Sequence, residues 1–386
     1  MQMLSPIGAF SPKLVVILPH GFEPNYTLGF VKGLAANGIA PLVISSDTDH
    51  PRLLETGIRS INLRGSQDAG RPTARKVANL ARYYARLLLF LCKHRGGVVH
   101  FTGIFRDSRT LFEGIVLGAC FRLLSSRYIY TAHNVLPHNK ENSCFYRWLY
   151  RVMYRIPHII LVHTTHAKHQ ILAQFGLPER KITVISIGLN EEMPVTQLTR
   201  KEARKRLGFS DGERLILFFG KADEYKGLDT LLKAFDQLDL SSTKLLISGW
   251  FPDPSYRRRI IHAMDTARRR PDIHLYEGFI PNEEVEVFFK SADVLVLPYR
   301  NIYQSGVIFL AFQFGLPLVA TDVGSLREYV EKETGVITET NDARGVAEGI
   351  RRFFETQDRF VRDRIALKAQ KYRWDKICQE IVPLYR

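Results

Sequence analysis

The chain has 386 residues, 45% hydrophobic and 24% charged, which excludes a disordered or fibrous protein and leaves room for two domains. No apolar run of about 18 residues is present, so no spanning helix is expected, and the four cysteines lack metal or disulfide spacing. The net charge of +15 is uneven: residues 1–195 hold 23 Lys and Arg against 11 Asp and Glu, whereas residues 196–386 hold 31 against 28.

In chain order, the start "MQMLSPIGAFSPKLVVILPHG" has no charged segment ahead of a long apolar core. No signal peptide is read there, and a cytoplasmic location is expected. Strands are predicted at 14–19, 40–46, 98–103, 128–133, 159–164 and 182–188, with helical stretches between them. The helix over 74–95 places Val77, Leu80, Tyr84, Leu87, Leu88 and Leu91 on one broad face, with basic residues around it. The stretch 144–158 interleaves Arg147, Arg151 and Arg155 with five aromatic residues. Residues 193–213 form a polar, charged break. The alternation restarts with strands at 214–220, 244–250, 273–279, 293–299, 317–323 and 334–338. Buried strands joined by helices mean open parallel α/β sheets, here in two halves. The expected division is 1–195, a linker over 196–213, 214–370, and a closing helix over 371–386.

Ligands of such sheets sit beyond the carboxyl ends of the strands. There, Lys221 directly follows Gly220, and Lys226 precedes a helix. Two lysines at a strand–helix loop can hold two phosphates, although a solvated pair reads the same way. His133 ends the strand 128–133, where a structural histidine is the commoner case. In "YQSGVIFLAFQFGLPLVATDVGS", Ser305 is a predicted N-cap, Gly306 admits a ligand to the backbone, and Val307 to Phe314 make two apolar turns. An ordinary core helix would look alike. A buried helix start is nevertheless an anion site, because its first amides have no partner within the helix.

Taken together, five blocks in order resemble the GT-B retaining glycosyltransferases of the GT4 family (glycosyl transferases group 1). They are "FFGKADEYKGLDTLLKAF", "THAKHQILAQFGLPERKITVISIGLN", "ADVLVLPYRNIYQSGVIFLAFQFGLPLVATDVGSLREYVEKETGVI", "NDARGVAEGIRRFF" and "RWDKICQEIVPLYR". The resemblance implies two Rossmann-like α/β domains facing across a cleft, with the acceptor on the first and a nucleotide-diphosphate sugar on the second. It also implies a last helix crossing back to the first domain. Lys221, where the family has arginine, and Lys226 would neutralise the diphosphate, with no metal or other cofactor needed. Ser305, Gly306 and Val307 match the turn that binds the distal phosphate. Phe279 and Ile280 match the backbone that reads the base. His133 matches a histidine near the transferred sugar, and Gly21 and Gly188 match glycines near the donor. Glu328 has either a donor-site role or a cap role in its own turn. The family carries two glutamates in the donor block. Ile302 and Leu310 stand in their places, so Tyr303, Gln304 or Ser305 would take over contacts to the sugar.

The implied activity is hexosyl transfer, from a UDP- or GDP-linked donor to a glycan or lipid-linked acceptor, in bacterial exopolysaccharide, lipopolysaccharide or glycolipid synthesis. The basic first half fits peripheral contact with the anionic inner face of a membrane. A catalytically impaired binding or regulatory protein of the same fold is the alternative, supported by Ile302 and Leu310. Nucleic acid is not an expected partner, because the basic residues are interleaved with apolar ones and no recognition motif is present.

Overall fold

The computed structural model of the chain describes residues 13–19, 24–68, 70–104, 107–137, 140, 142–303 and 305–386. Among the described residues, thirteen strands form two sheets, and every pairing is parallel. The chain divides into two compact units. The first comprises residues 1–162, 170–185 and 374–386, and the second residues 163–169 and 186–373.

The first unit is built on β1 (Val15–Leu18), β2 (Pro41–Ser45), β3 (Arg59–Asn62), β4 (Val98–Phe101), β5 (Arg127–Ala132), β6 (Ile159–Val162) and β7 (Ile182–Val184). They lie in the order β3-β2-β1-β4-β5-β6-β7. The central strands are near-continuous apolar runs, with Ile17, Ile129 and Leu161 fully buried, as a sheet covered on both faces requires. Six of the seven strands coincide with predicted ones. β3 was not predicted, because "RSIN" is polar and lies partly exposed at the sheet edge. On the helix Thr73–Lys93, Tyr83, Leu87 and Leu91 are buried. Val77, placed on the same broad face, is 61% exposed.

The helix Trp374–Ile381 packs on the helix Pro24–Ala36 of the same unit. Gly29 makes this approach possible: a Cβ there would stand 2.0 Å from Trp374 Nε1. The indole is buried edge-on to Tyr26 and Phe30, with ring centroids 5.1 and 5.9 Å away.

The second unit is built on β8 (Arg214–Phe219), β9 (Thr243–Gly249), β10 (Ile273–Glu277), β11 (Val294–Leu297), β12 (Leu318–Ala320) and β13 (Gly335–Ile337). Their order is β10-β9-β8-β11-β12-β13; five fall within predicted strands, and β9 begins one residue before its predicted start. The polar segment expected as a linker holds a helix, Arg200–Leu207, closed at its start by a capping box between Thr199 and Glu202. Its Arg204 is fully buried. The guanidinium donates to the carbonyls of Ser291, Ser210, Asp211 and Glu213 and pairs with Asp293 at 2.9 Å. It thereby ties this helix to the loop before β8 and to the start of β11.

Candidate donor site

In the second sheet the strand order reverses between β8 and β11, so the crevice beyond their carboxyl ends is the favoured ligand position. Both loops that leave these ends carry polar groups into one place. After β8, a short turn over Glu224–Lys226 ends at Gly227, whose φ of 66° lies in the left-handed region. A Cβ on Gly227 would stand 2.0 Å from the carbonyl oxygen of Pro298, in the loop after β11. The bare glycine lets the two loops touch and turns Lys226 inward.

Lys226 is only 8% exposed. Its Nζ lies 5.8 Å from the centroid of the Tyr299 ring, and the Tyr299 hydroxyl is 3.2 Å from Ser305 Oγ. A Cβ on Gly220 would be 3.7 Å from both Lys226 Nζ and Val307 Cγ2. Gly220, Lys226, Ser305 and Val307 are therefore one cluster, joined through Tyr299. Burial pushes the Lys226 ammonium down to about 8; Asp223 works against that shift and Lys221 adds to it. A partly desolvated cation of this kind gains from an arriving anion. Lys221 is half exposed. It pairs with Asp223 at 2.9 Å and lies 5.7 Å from the Trp250 ring centroid.

The helix Gly306–Gln313 begins at this cluster. Ser305 holds the N-cap position, but its side chain does not cap; the hydroxyl turns to Tyr299 instead. Gly306 is exposed, which leaves its backbone approachable. Ile302 is buried and Leu310 half-buried. Tyr303 is buried, and its carbonyl accepts from Ser325 Oγ at 2.6 Å. Phe279, just past β10 at the same end of the sheet, is 78% exposed. Ile280 beside it is half-buried and Gly188 is buried. Gly21 and Gln304 lie outside the described residues.

Two residues have other engagements. The Glu328 carboxylate accepts from the backbone N–H groups of Thr165 at 2.9 Å and His166 at 2.7 Å. It thus caps the helix Thr165–Phe175 rather than its own turn, with one N–H on each oxygen. His133, in the first unit, is half-buried just past β5. Its Nε2–H donates to the Thr102 carbonyl at 2.8 Å, and its ring stands edge-on to Tyr26. Tyr299 and Trp250 were missed by sequence reasoning. Both directly follow apolar strand runs and were absorbed into them; position at a carboxyl strand end was the available signal.

Two family models match this chain. One, described as Glycosyltransferase Family 4, covers residues 24–192, and the other, Glycosyl transferases group 1, covers residues 199–372. The chain belongs to the GT4 family of glycosyltransferases. An uncharacterized glycosyltransferase of Methanocaldococcus jannaschii is 29% identical over 231 residues, 57% of each chain. A D-inositol 3-phosphate glycosyltransferase of Corynebacterium urealyticum is 25% identical over 245 residues, 59% of this chain and 56% of that protein. The GT4 chain thus spans little more than half the length of these curated relatives. In fold, it is similar to HepE of Anabaena in complex with UDP, with a TM-score of 0.74 and 14% identity over 96% of this chain and 98% of that one. Sucrose-phosphate synthase of Thermosynechococcus elongatus gives 0.74 and 20% over 97% and 98%. The fold of this GT4 chain is accordingly GT-B.

Proposed function

We propose that this glycosyltransferase moves a hexose, with retention at the anomeric carbon, from a UDP- or GDP-linked donor to a glycan or lipid-linked acceptor. The observation that carries the reading is the gathering of Lys226, Gly220 and Val307 about the start of the helix Gly306–Gln313. A diphosphate seated there would meet a buried ammonium, the exposed Lys221 and the first amides of that helix. As the bond to the sugar breaks, negative charge grows on the departing diphosphate. Cations already in place stabilise that charge without reorganising. These residues supply the neutralisation that a metal would otherwise provide, so transfer is expected to proceed in the presence of a chelator. HepE, whose complexes with UDP and UDP-glucose share the fold, makes uridine the first base to test.

Exposed Phe145 and Trp148, with Arg147 beside them on the helix Cys144–Met153, suit peripheral contact with the inner face of a bacterial membrane during polysaccharide or glycolipid synthesis. The test is calorimetric binding of UDP and GDP, followed by transfer with chelator present and assignment of the product anomer by NMR. A second reading, a nucleotide-sugar-binding protein with little turnover, is favoured by Ile302 and Leu310, which offer no polar atom to the donor. Tight nucleotide binding without sugar transfer or donor hydrolysis would select it.

A further inference from the structure

The first unit contains a cavity of about 530 Å³, within the usual range of ligand pockets. Its lining includes Leu18, the last residue of β1, and Phe101, the last of β4. These two neighbours are the strands between which the order of the first sheet reverses. The cavity therefore occupies the position where open α/β sheets take ligands, yet no residue of the donor cluster lines it.

Its walls are of two kinds. Leu80, Leu87, Leu117 and Phe121 make an apolar floor, and Arg64, Arg71 and Lys76 bring positive charge. Arg64 is 6% exposed; it donates to the Pro19 carbonyl and lies 5.5 Å from the Tyr83 ring centroid. Arg71 donates to the carbonyls of Ser66 and Asp68, which hold the side chain without cancelling its charge. The lining also holds three carboxylates and a fourth cation, Arg109, which leaves a formal balance of one positive charge, and each carboxylate is held by a neighbour of its own. Asp49 accepts from Ser46 Oγ at 2.8 Å, and Asp68 from the Gly70 N–H at 2.8 Å. Glu113 accepts from the Tyr84 hydroxyl and lies 3.6 Å from Arg109. Glu113 and Leu117 project from Thr110–Leu117, a π-helical stretch of the kind that recurs at functional sites. On the same stretch Phe112 is 42% exposed and packs edge-on against Tyr84, with centroids 5.0 Å apart. An exposed aromatic ring thus adjoins the cavity wall at Tyr84.

We infer that this cavity binds an amphipathic phosphate ester. Its apolar body would lie on Leu80, Leu87, Leu117 and Phe121, and its doubly charged head on Arg64, Arg71 and Lys76. Resting on the function proposed above, that compound is the acceptor. Three cations match a phosphate better than a singly charged carboxylate.

Calorimetry on the full chain tests this with dodecyl phosphate below its micellar concentration, inorganic phosphate and the neutral amphiphile dodecyl maltoside. Dodecyl phosphate is expected to bind about tenfold tighter than either of the other two, and the double variant Arg71→Ala/Lys76→Ala to weaken it by about tenfold, on the scale of one charge-assisted contact. Leu80→Gln should weaken dodecyl phosphate and leave inorganic phosphate unaffected. Affinity for UDP, which is read on the second unit, is the control in every variant. Equal binding of the neutral amphiphile, no binding of dodecyl phosphate, or indifference to the double variant would each overturn the assignment. Loss of UDP binding by the unmodified chain, with amphiphile binding intact, would instead remove the donor reading and leave the cavity site standing.

Discussion

Lys226 holds its charge where the surroundings resist it. Lys226→Ala is expected to cut sugar transfer by about 10²–10³, the usual scale for deleting one group that meets developing negative charge. Thermal unfolding of the same variant should give an unchanged or higher Tm, because a desolvated ammonium has been removed. The pH dependence follows from the same burial. The folded pKa of about 8 lies below the ordinary lysine value of 10.5. Between those values the unfolded chain binds more protons, so stability of the nucleotide-free protein rises with pH across that window. A bound diphosphate favours the ammonium, so UDP affinity should be greatest below about pH 8 and fall above it. Calorimetry across that range should show the fall, and Lys226→Ala should flatten it. Arg204 acts on stability instead. Arg204→Leu should cost about 3–5 kcal/mol in chemical denaturation, because four carbonyls lose their buried donor and Asp293 keeps Arg200 alone, among the described residues, as an ionic partner. The lysines were legible in the sequence, since each sits beside a glycine just after an apolar strand. Tyr299 was not, because an aromatic at the end of an apolar run looks like more strand. Nor was the pairing of its hydroxyl with Ser305, which depends on how two loops meet.

Among the elements, the buried parallel strands were legible almost without exception, since continuous Val, Ile and Leu runs between turn residues have few other uses. β3 escaped because an edge strand pairs on one side only and can be polar throughout. The helix Arg200–Leu207 escaped because its sequence is nearly all charged, and it is held by a capping box and by Arg204. Glu328 shows a further limit: a carboxylate that caps a helix more than 150 residues away leaves no local pattern. The turn ending at Gly227 is the element on which the donor site depends most. Gly227→Ala should cost about 1–2 kcal/mol for the left-handed backbone alone, and more for the approach to Pro298. Because the strain falls on the neighbour of Lys226, UDP affinity should drop together with Tm. A variant with normal affinity would show that the turn does not set the position of Lys226.

At the scale of the whole molecule, the two compact units are expected to lose their structure separately. Deleting residues 374–386 uncovers the face of Pro24–Ala36 on which Trp374 is buried. The first unit is then expected to lose hydrogen-exchange protection, while the second keeps its protection and its affinity for UDP. Protection lost equally from both sheets would mean that they unfold as one. The placement of that last helix also bears on how the protein is made. The first unit is interrupted by the second and is completed only by the final thirteen residues. On the ribosome, its seven strands emerge first yet wait for their last packing partner, whereas the main body of the second unit, Ser186–Arg373, emerges without interruption. The nascent chain therefore passes through a stage in which the later-made half can be folded and the earlier-made half is still open along one helix.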